Sequence, residues 1–565
     1  MKMKKIIPVL TLSLALLTAC ELDYYPTNAM TSSQLADNPT SAVYSTDGNY
    51  SMFKDNLEYK GTTYSGNSYV RHYFQMSEFH GDCVALSHKT EDPLYNSMCY
   101  SDLITAQPNS YFWWCAYHII YSANSIIESL PEGTSGEFDH ILGENYFMRA
   151  ICHLHLATLF AKPYSQGREN MGVILRTSTD DKGAVTRASV GAVYDQIRDD
   201  LIKAAALMSA DESRVVNHGY ISHDAALGLL SRVYLYRGEN DKVIETVDEM
   251  LGGASALSKL DPDCETYFAR ALTSNETLWA VAHTAGTSDP VGRETIGSMY
   301  YTPDKKGVGG WAEMYYADPL VKLFKRFPAD KRYTGFCVPL EPVEGAEQAR
   351  WAVESAGDTF RMNEIRDVKK DASGNYKVID DGNELEVTKE QNGLDTEYFI
   401  QWNGKKTEVF IDQKMLNFNT MPAFMCAKFT GQDGVALLAS PIMIRWAEVI
   451  LNRAEAYAKE GNESAALADV NAIRQRAGLS GDAIWTLSNY QAGGYKSVLD
   501  VVLDERRLEL CYEGHRALDL YRNGRSMDRQ FAGVQPWEVI EPTDNRIQYR
   551  IPYDEISVSG IPQNN

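Results

Sequence analysis

The densest grouping of reactive side-chain types lies near the C-terminus, where Glu505, Arg506, Glu509, Glu513 and Arg516 recur at three- and four-residue steps. On a helix those steps make neighbours of opposite charges. Two such carboxylates could act as acid and base on a glycosidic bond, but catalytic carboxylates face each other across a substrate at about 5–9.5 Å. These alternate with arginines on one element, so a structural ionic network is expected and no catalytic residue is assigned. His153 and His155 stand two apart and point to different faces of a helix, unlike the i, i+4 pair of a helical zinc site. His80 and His88 share a loop with Asp82 and Asp92, a set able to hold a cation; solvated loop polarity is the preferred reading. No phosphate-cradling loop, dinucleotide fingerprint or Gly-x-Ser-x-Gly elbow occurs, and neither metal nor cofactor is expected.

A different chemistry is open to the aromatic side chains, 34 Tyr and 9 Trp. A sugar presents a face of C–H groups and a rim of hydroxyls. A flat ring can cover the face while nearby Asp, Asn or Arg groups bind the rim. Two stretches offer both kinds of group. One runs from Gly81 to Tyr100 and contains Asp82, Asp92, Tyr95 and Asn96; the other contains Tyr300, Tyr301, Trp311, Tyr315 and Tyr316, with Asp304 close by. Asp82, Asp92, Tyr95, Asn96, Tyr100, Tyr300, Tyr301, Trp311 and Tyr315 are therefore the glycan-binding candidates. Trp113, Trp114 and Trp446 fall in helical stretches and are assigned to the core.

Helices must position these loops. Met443, Trp446, Ala447, Ile450, Leu451, Ala454, Tyr457 and Ala458 follow the i, i+3, i+4, i+7 stripe of one helix, and Glu460-Gly461-Asn462 is a turn. Ala466, Val470, Ile473 and Ala477 line the return helix, with Gly478 placed to end it. Ala225 to Tyr236 and Lys242 to Leu251 repeat the hairpin around Arg237-Gly238-Glu239-Asn240, and Arg232 and Tyr236 match Arg453 and Tyr457 in spacing. A longer pair spans Tyr111–Leu130 and His140–Ala161. Such hairpins resemble tetratricopeptide units, but their scatter excludes a regular solenoid. Between them, residues 340–435 carry Asp371-Ala372-Ser373-Gly374-Asn375, Asp380-Asp381-Gly382-Asn383 and Asn403-Gly404 beside alternating runs at Tyr398–Trp402 and Thr407–Ile411, a small hairpin-rich excursion.

Composition bounds the partners. The 565 residues carry a net charge of -22, which repels phosphate backbones, so nucleic acid is not expected as a partner. Lys2, Lys4 and Lys5 precede an apolar run, Ile6 to Ala19, too short for a stable membrane span of about 30 Å. Leu17-Thr18-Ala19-Cys20 resembles a bacterial lipobox, which predicts a cleaved leader at residues 1–19 and a lipid on Cys20. The eight later cysteines are scattered without a disulfide framework, and their pairing is not legible. Cys115 and Cys152 read as buried small hydrophobes.

Val470-Asn471-Ala472-Ile473-Arg474-Gln475-Arg476-Ala477-Gly478, then Glu505-Arg506-Arg507-Leu508-Glu509-Leu510-Cys511-Tyr512-Glu513-Gly514-His515-Arg516, resemble the C-terminal signatures of the SusD/RagB family. Asp519-Leu520 with Arg522, Ile551-Pro552, Glu555-Ile556 and Gln563-Asn564 continue the likeness in order. Tyr117, Ile120, Asn124, Arg149-Ala150 and Pro163 extend it upstream. The resemblance implies a mainly α-helical SusD-like fold of tetratricopeptide-type hairpins with long loop and β-hairpin insertions. In that reading residues 20–565 form one body, with a scaffold near 33–60, 110–252 and 441–525 and a variable ligand-binding region near 60–105 and 260–440. It also implies a lipid-anchored protein facing out from the outer membrane, not an enzyme, that passes oligosaccharides to a SusC-like TonB-dependent transporter. The alternatives are a helical-repeat lipoprotein that binds peptides or proteins and, less favoured, a lipoprotein glycosidase. Glu21 and Asp23 loosely suit a surface-export signal of such lipoproteins.

Overall fold

The computed structural model describes residues 40–564, apart from 91, 102, 181–184, 287–288, 290–291, 304–308 and 355–356. Residues 1–19 and Cys20, Glu21 and Asp23 lie outside the described residues, as does Asp304. Helices dominate: α1 (Thr40–Met52), α2 (Tyr69–Phe79), α3 (Gln107–Ser129), α4 (Gly136–Phe160), α5 (Val190–Met208), α6 (His223–Arg237), α7 (Asn240–Leu251), α8 (Asp318–Lys325), α9 (Trp446–Lys459), α10 (Glu463–Arg476), α11 (Val498–Leu510) and α12 (Arg516–Arg522). Among the described residues no helix is long and apolar enough to cross a membrane.

Local chemistry sets the helix ends. Ser135, Ser189, Ser222 and Ser497 cap α4, α5, α6 and α11, each accepting a bond from a first-turn amide, a cap worth about 1 kcal/mol. Gly238 closes α6 in the left-handed conformation at φ 75°, its N–H returning to Leu235 O. The expected hairpins form: α6 packs on α7, α9 on α10, and α3 on α4. Helix α4 is buried nearly all round, which removes any single apolar stripe and places it at the centre of the bundle. Cys115 and Cys152 are buried thiols in this core, and all eight cysteines from Cys83 to Cys511 are free. Trp113 and Trp446 are buried and Trp114 half-buried.

The excursion is larger than a set of hairpins. Strands β3 (Glu347–Glu354), β4 (Arg361–Lys370), β5 (Tyr376–Asp380), β6 (Asn383–Glu386), β7 (Thr388–Asn392), β8 (Asp395–Trp402) and β9 (Lys405–Gln413) form one antiparallel sheet in the order β6-β5-β4-β3-β9-β8-β7. Asp381 and Gly382, then Asn403 and Gly404, have the positive φ that two-residue hairpin turns demand. Tyr376 of β5 meets Tyr398 of β8 at 5.5 Å, and Trp351 of β3 meets Trp402 of β8 at 4.9 Å. Strands that are not neighbours thus touch, and the sheet curls around its own core of Ala349, Trp351, Val378, Ile400 and Val409. Arg350 to Asp318 at 2.8 Å, Arg326 to Asp395 at 2.6 Å and Lys322 to Glu408 at 2.9 Å tie it to α8 and its C-terminal end.

The charged signature lies inside the bundle. Arg445 donates to Glu513 at 2.8 Å, Glu276 at 2.8 Å and Glu509 at 2.6 Å. Arg332 reaches Asp330, Glu505 and Glu509, Arg476 also pairs with Glu509, and Lys428 donates to Glu513 at 2.6 Å. A second knot joins Arg506 to Asp519 at 2.7 Å and Arg522 to Glu455 and Asp519. Although burial opposes ionisation, Arg445 and Lys428 hold Glu513 down to about 2, and the arginines around Glu509 hold it well below the carboxylate range. These carboxylates are sequestered by guanidinium groups and cannot face a substrate. The equivalent arginines of the two hairpins play the same part: Arg232 pairs with Glu448, and Arg453 with Asp469 at 2.7 Å.

Candidate functional site

The two aromatic stretches meet because β1 (Val84–Leu86) pairs antiparallel with β2 (Met314–Tyr316), in register Val84↔Tyr316, Ala85↔Tyr315 and Leu86↔Met314. The Leu86 N-terminal flank leads into the interior; beyond Leu86 the chain emerges at His88 and Lys89. Preceding β2, the Trp311 backbone amide donates to Ser298 O at 2.7 Å. The ladder is covered on both faces. Tyr315 packs with Ala85, Met421 and Phe531 and is 3% exposed, while Tyr316 donates its hydroxyl to Phe336 O at 2.8 Å on the opposite side.

That burial corrects four of the candidates. Tyr315 is interior because alternate residues of a strand covered on both sides all meet protein. Tyr300 is fully buried, its ring edge-on to Tyr512 at 4.9 Å. Tyr100 is buried and stacks on His80 at 4.2 Å, its hydroxyl bonded to His80 O and to Tyr521. Asp82 is buried and accepts two bonds from Arg516, whose charge and that of Arg507 hold its carboxyl below the usual range against the opposing effect of burial. The same packing separates the loop histidines: His80 lies between Tyr100 and Tyr549, and burial lowers it to about 3, whereas His88 is half-exposed near Glu313. Among the described residues no group of three or more His, Cys, Asp or Glu could hold a metal ion.

The remaining candidates reach the surface. Trp311 is 46% exposed, and the Arg293 guanidinium lies 4.5 Å above its ring, an arrangement that fixes the indole plane. Tyr301 is half-buried nearby. Tyr95 and Asn96 open a short helix and are half-buried; Asp92 accepts the Leu94 amide at 2.9 Å and shapes the turn before them. Burial raises the Tyr95 hydroxyl well above its ordinary range, with smaller contributions from Cys99 and Asp358.

Further groups lie beside these loops, among them His88, which the sequence marks as loop polarity, and Phe418 and Trp537, which it does not mark. His88 sits edge-on to the exposed ring of Phe418 at 5.6 Å and 3.9 Å from Glu313. Lys89 pairs with Asp358 at 2.6 Å. Arg361 stacks at 4.1 Å on Trp537, whose backbone amide donates to Thr359 O at 2.9 Å. Backbone bonds from Val534 N to Leu86 O and from Gly533 N to Arg361 O attach this segment to the ladder. Phe418 and Trp537 thus add rings beside His88 and Arg361. Nothing periodic marks Phe418 or Trp537 in the sequence; Phe418 sits in a two-residue strand paired with Met421.

The C-terminal half, residues 275–559, matches the family described as the SusD family, and residues 26–235 match one described as starch-binding associating with outer membrane. The chain belongs to the SusD family. SusD-like protein P2 of Formosa agariphila is 22% identical over 422 residues, covering 73% of this chain and 71% of that one. A SusD superfamily protein of Bacteroides thetaiotaomicron superposes with a TM-score of 0.67 at 22% identity, over 93% of this chain and 99% of the other. A laminarin binding SusD-like protein superposes with a TM-score of 0.59 at 21% identity, again over 93% and 99%. The expected mainly helical SusD-like fold is the fold observed; the curled sheet at 347–413 is a feature that the repeat pattern did not announce.

Proposed function

We propose that this SusD-family chain captures oligosaccharides on the side bearing Trp311, Tyr301, Asp92, Tyr95 and Asn96, without cleaving them, and hands them to a SusC-like TonB-dependent transporter. The observation that carries the reading is Trp311, an exposed indole under a guanidinium, in the stretch that the β1–β2 ladder pairs with the one bearing half-buried Tyr95 and its polar neighbours. Stacking on such a ring covers the C–H face of a sugar, and Asp92, Asn96, His88 and Glu313 supply acceptors and donors for its rim. The family's starch-binding description and the laminarin-binding relative support a glycan as the ligand. The sequestered signature carboxylates support binding without hydrolysis. In this reading residues 1–19 are a cleaved leader, Cys20 carries the lipid that tethers the body to the outer membrane, and the bound face looks outward from the cell.

Calorimetry and affinity electrophoresis across a panel of neutral and acidic polysaccharides test it. Binding to at least one glycan is expected, with a loss of about tenfold or more on Trp311→Ala and on Tyr95→Ala, in line with stacking worth roughly 0.5–1.5 kcal/mol beyond area burial. Absence of binding across the panel, or binding unchanged in both variants, refutes the assignment. Co-purification of a large barrel transporter from solubilised membranes tests the hand-over.

A further inference from the structure

Toward the Asp82 end of the β1–β2 ladder, away from Trp311, the surface opens into a cleft of about 510 Å³ between α11, α12 and residues 525–531. Small-molecule sites occupy roughly 300–1,000 Å³. Buried Asp82 underlies the cleft and holds its arginines in place, bonded to Arg516 at 2.9 and 3.2 Å and 3.3 Å from Arg507 Nε. That Nε makes no hydrogen bond, although the Arg507 side chain is only 10% exposed. Asp82 is its neighbour on that side, and the Arg507 terminal nitrogen donates to Asp82 O at 3.1 Å, so the cleft is lined by charges that are paired with one another.

The walls alternate in sign. Arg525 pairs with Asp500 at 2.6 Å, and Asp504 and Asp528 stand beside them, while Phe531, Leu503 and the Tyr495 ring supply apolar surface. Three guanidinium groups thus face four carboxylates in one cavity. A cleft so nearly balanced neither attracts a polyanion nor a polycation strongly, but it offers donors and acceptors side by side. Hydroxyl groups, which donate and accept at once, match that pattern.

We propose that this cleft is a second saccharide site that takes a neutral mono- or disaccharide, separate from the side around Trp311. The inference rests on the reading of the chain as a glycan binder. Its position on the same ladder would let the two sites hold different parts or different copies of a ligand.

The test uses maltose and laminaribiose as probes and a galacturonic acid disaccharide as the anionic comparison, followed by calorimetry and by crystals soaked in each sugar. Trp311→Ala combined with Tyr95→Ala disables the open side; Gln530→Trp, at an exposed position on the cleft rim, fills the cleft. One neutral disaccharide is expected to bind the first variant with density in the cleft, and Gln530→Trp is expected to weaken that binding at least tenfold. The acidic disaccharide should bind at least tenfold more weakly. If Gln530→Trp leaves all binding as in the parent, or if the open-side variant abolishes it, the second site is refuted while the glycan-binding reading stands. If the parent binds no sugar of either the disaccharide or the polysaccharide panel, both fall.

Discussion

Charged and aromatic side chains are treated in opposite ways in the signature bundle and on the loop-borne side. Around Glu509 the carboxylate is fully buried and three arginines converge on it. At Trp311 an indole remains 46% exposed under a single guanidinium. The residues that most resemble catalytic machinery in the sequence therefore hold helices together, and the rings left uncovered are where we propose that a ligand is held. Density of reactive types does not locate a site; what decides it is whether those groups are already satisfied by the protein.

Acid is expected to break the first region most severely. Burial lowers His72, His80 and His153 to about 3 and His515 to about 4. Between those values and the unfolded value near 6.5 only the unfolded chain binds the proton, so stability present above pH 6.5 is lost as pH falls. Glu513, held at about 2, adds a further loss below the unfolded glutamate value of 4.5. Glu78 and Glu144, raised by burial to about 7, act in the opposite sense between 7 and 4.5, because the folded chain then binds their protons. The histidines outnumber them. The melting temperature should decline steadily from pH 7 to pH 4, and a maximum near pH 5 would contradict the account. His153→Gln should flatten the decline, since His153 Nε2 accepts the Arg176 amide at 3.2 Å and loses that bond on protonation.

Next in size is Arg445→Met. Removing one member of a buried ionic cluster leaves Glu276, Glu509 and Glu513 undercompensated, at about 3–5 kcal/mol. Denaturant unfolding should show that loss, while glycan affinity of the folded fraction stays within twofold of the parent. A loss under about 1 kcal/mol would mean that the cluster's remaining arginines suffice.

The sequence disclosed these two regions unequally. The α9–α10 hairpin was legible because its apolar stripe, Gly461 turn and Gly478 stop all act within one short stretch, and Asp381-Gly382 and Asn403-Gly404 marked sheet turns for the same local reason. The β1–β2 ladder was not. Each strand has three residues, is covered on both faces and pairs with a partner far along the chain, so neither alternation nor turn chemistry marks it. Tyr100 was misplaced for a related reason: the groups that cover it, His80, Tyr521 and Arg529, come from three separate segments. Trp311, outside any strand and in a polar stretch, reads as a surface ring, and it is 46% exposed.

Two aromatics from the same stretch sharpen the contrast to a single measurement. Tyr300→Ala removes a fully buried ring packed on Tyr512 and Phe429 and should cost about 3 kcal/mol, at the lower end for large-to-alanine changes in a core. Trp311→Ala removes a ring that is 46% exposed and stacked on the Arg293 guanidinium, so unfolding free energy should change by less than about 0.5 kcal/mol. Equal losses in the two variants would place Trp311 in the core in solution and remove the basis for a binding role there. Unequal losses, with affinity falling only in Trp311→Ala, are what a ring kept uncovered for a ligand requires.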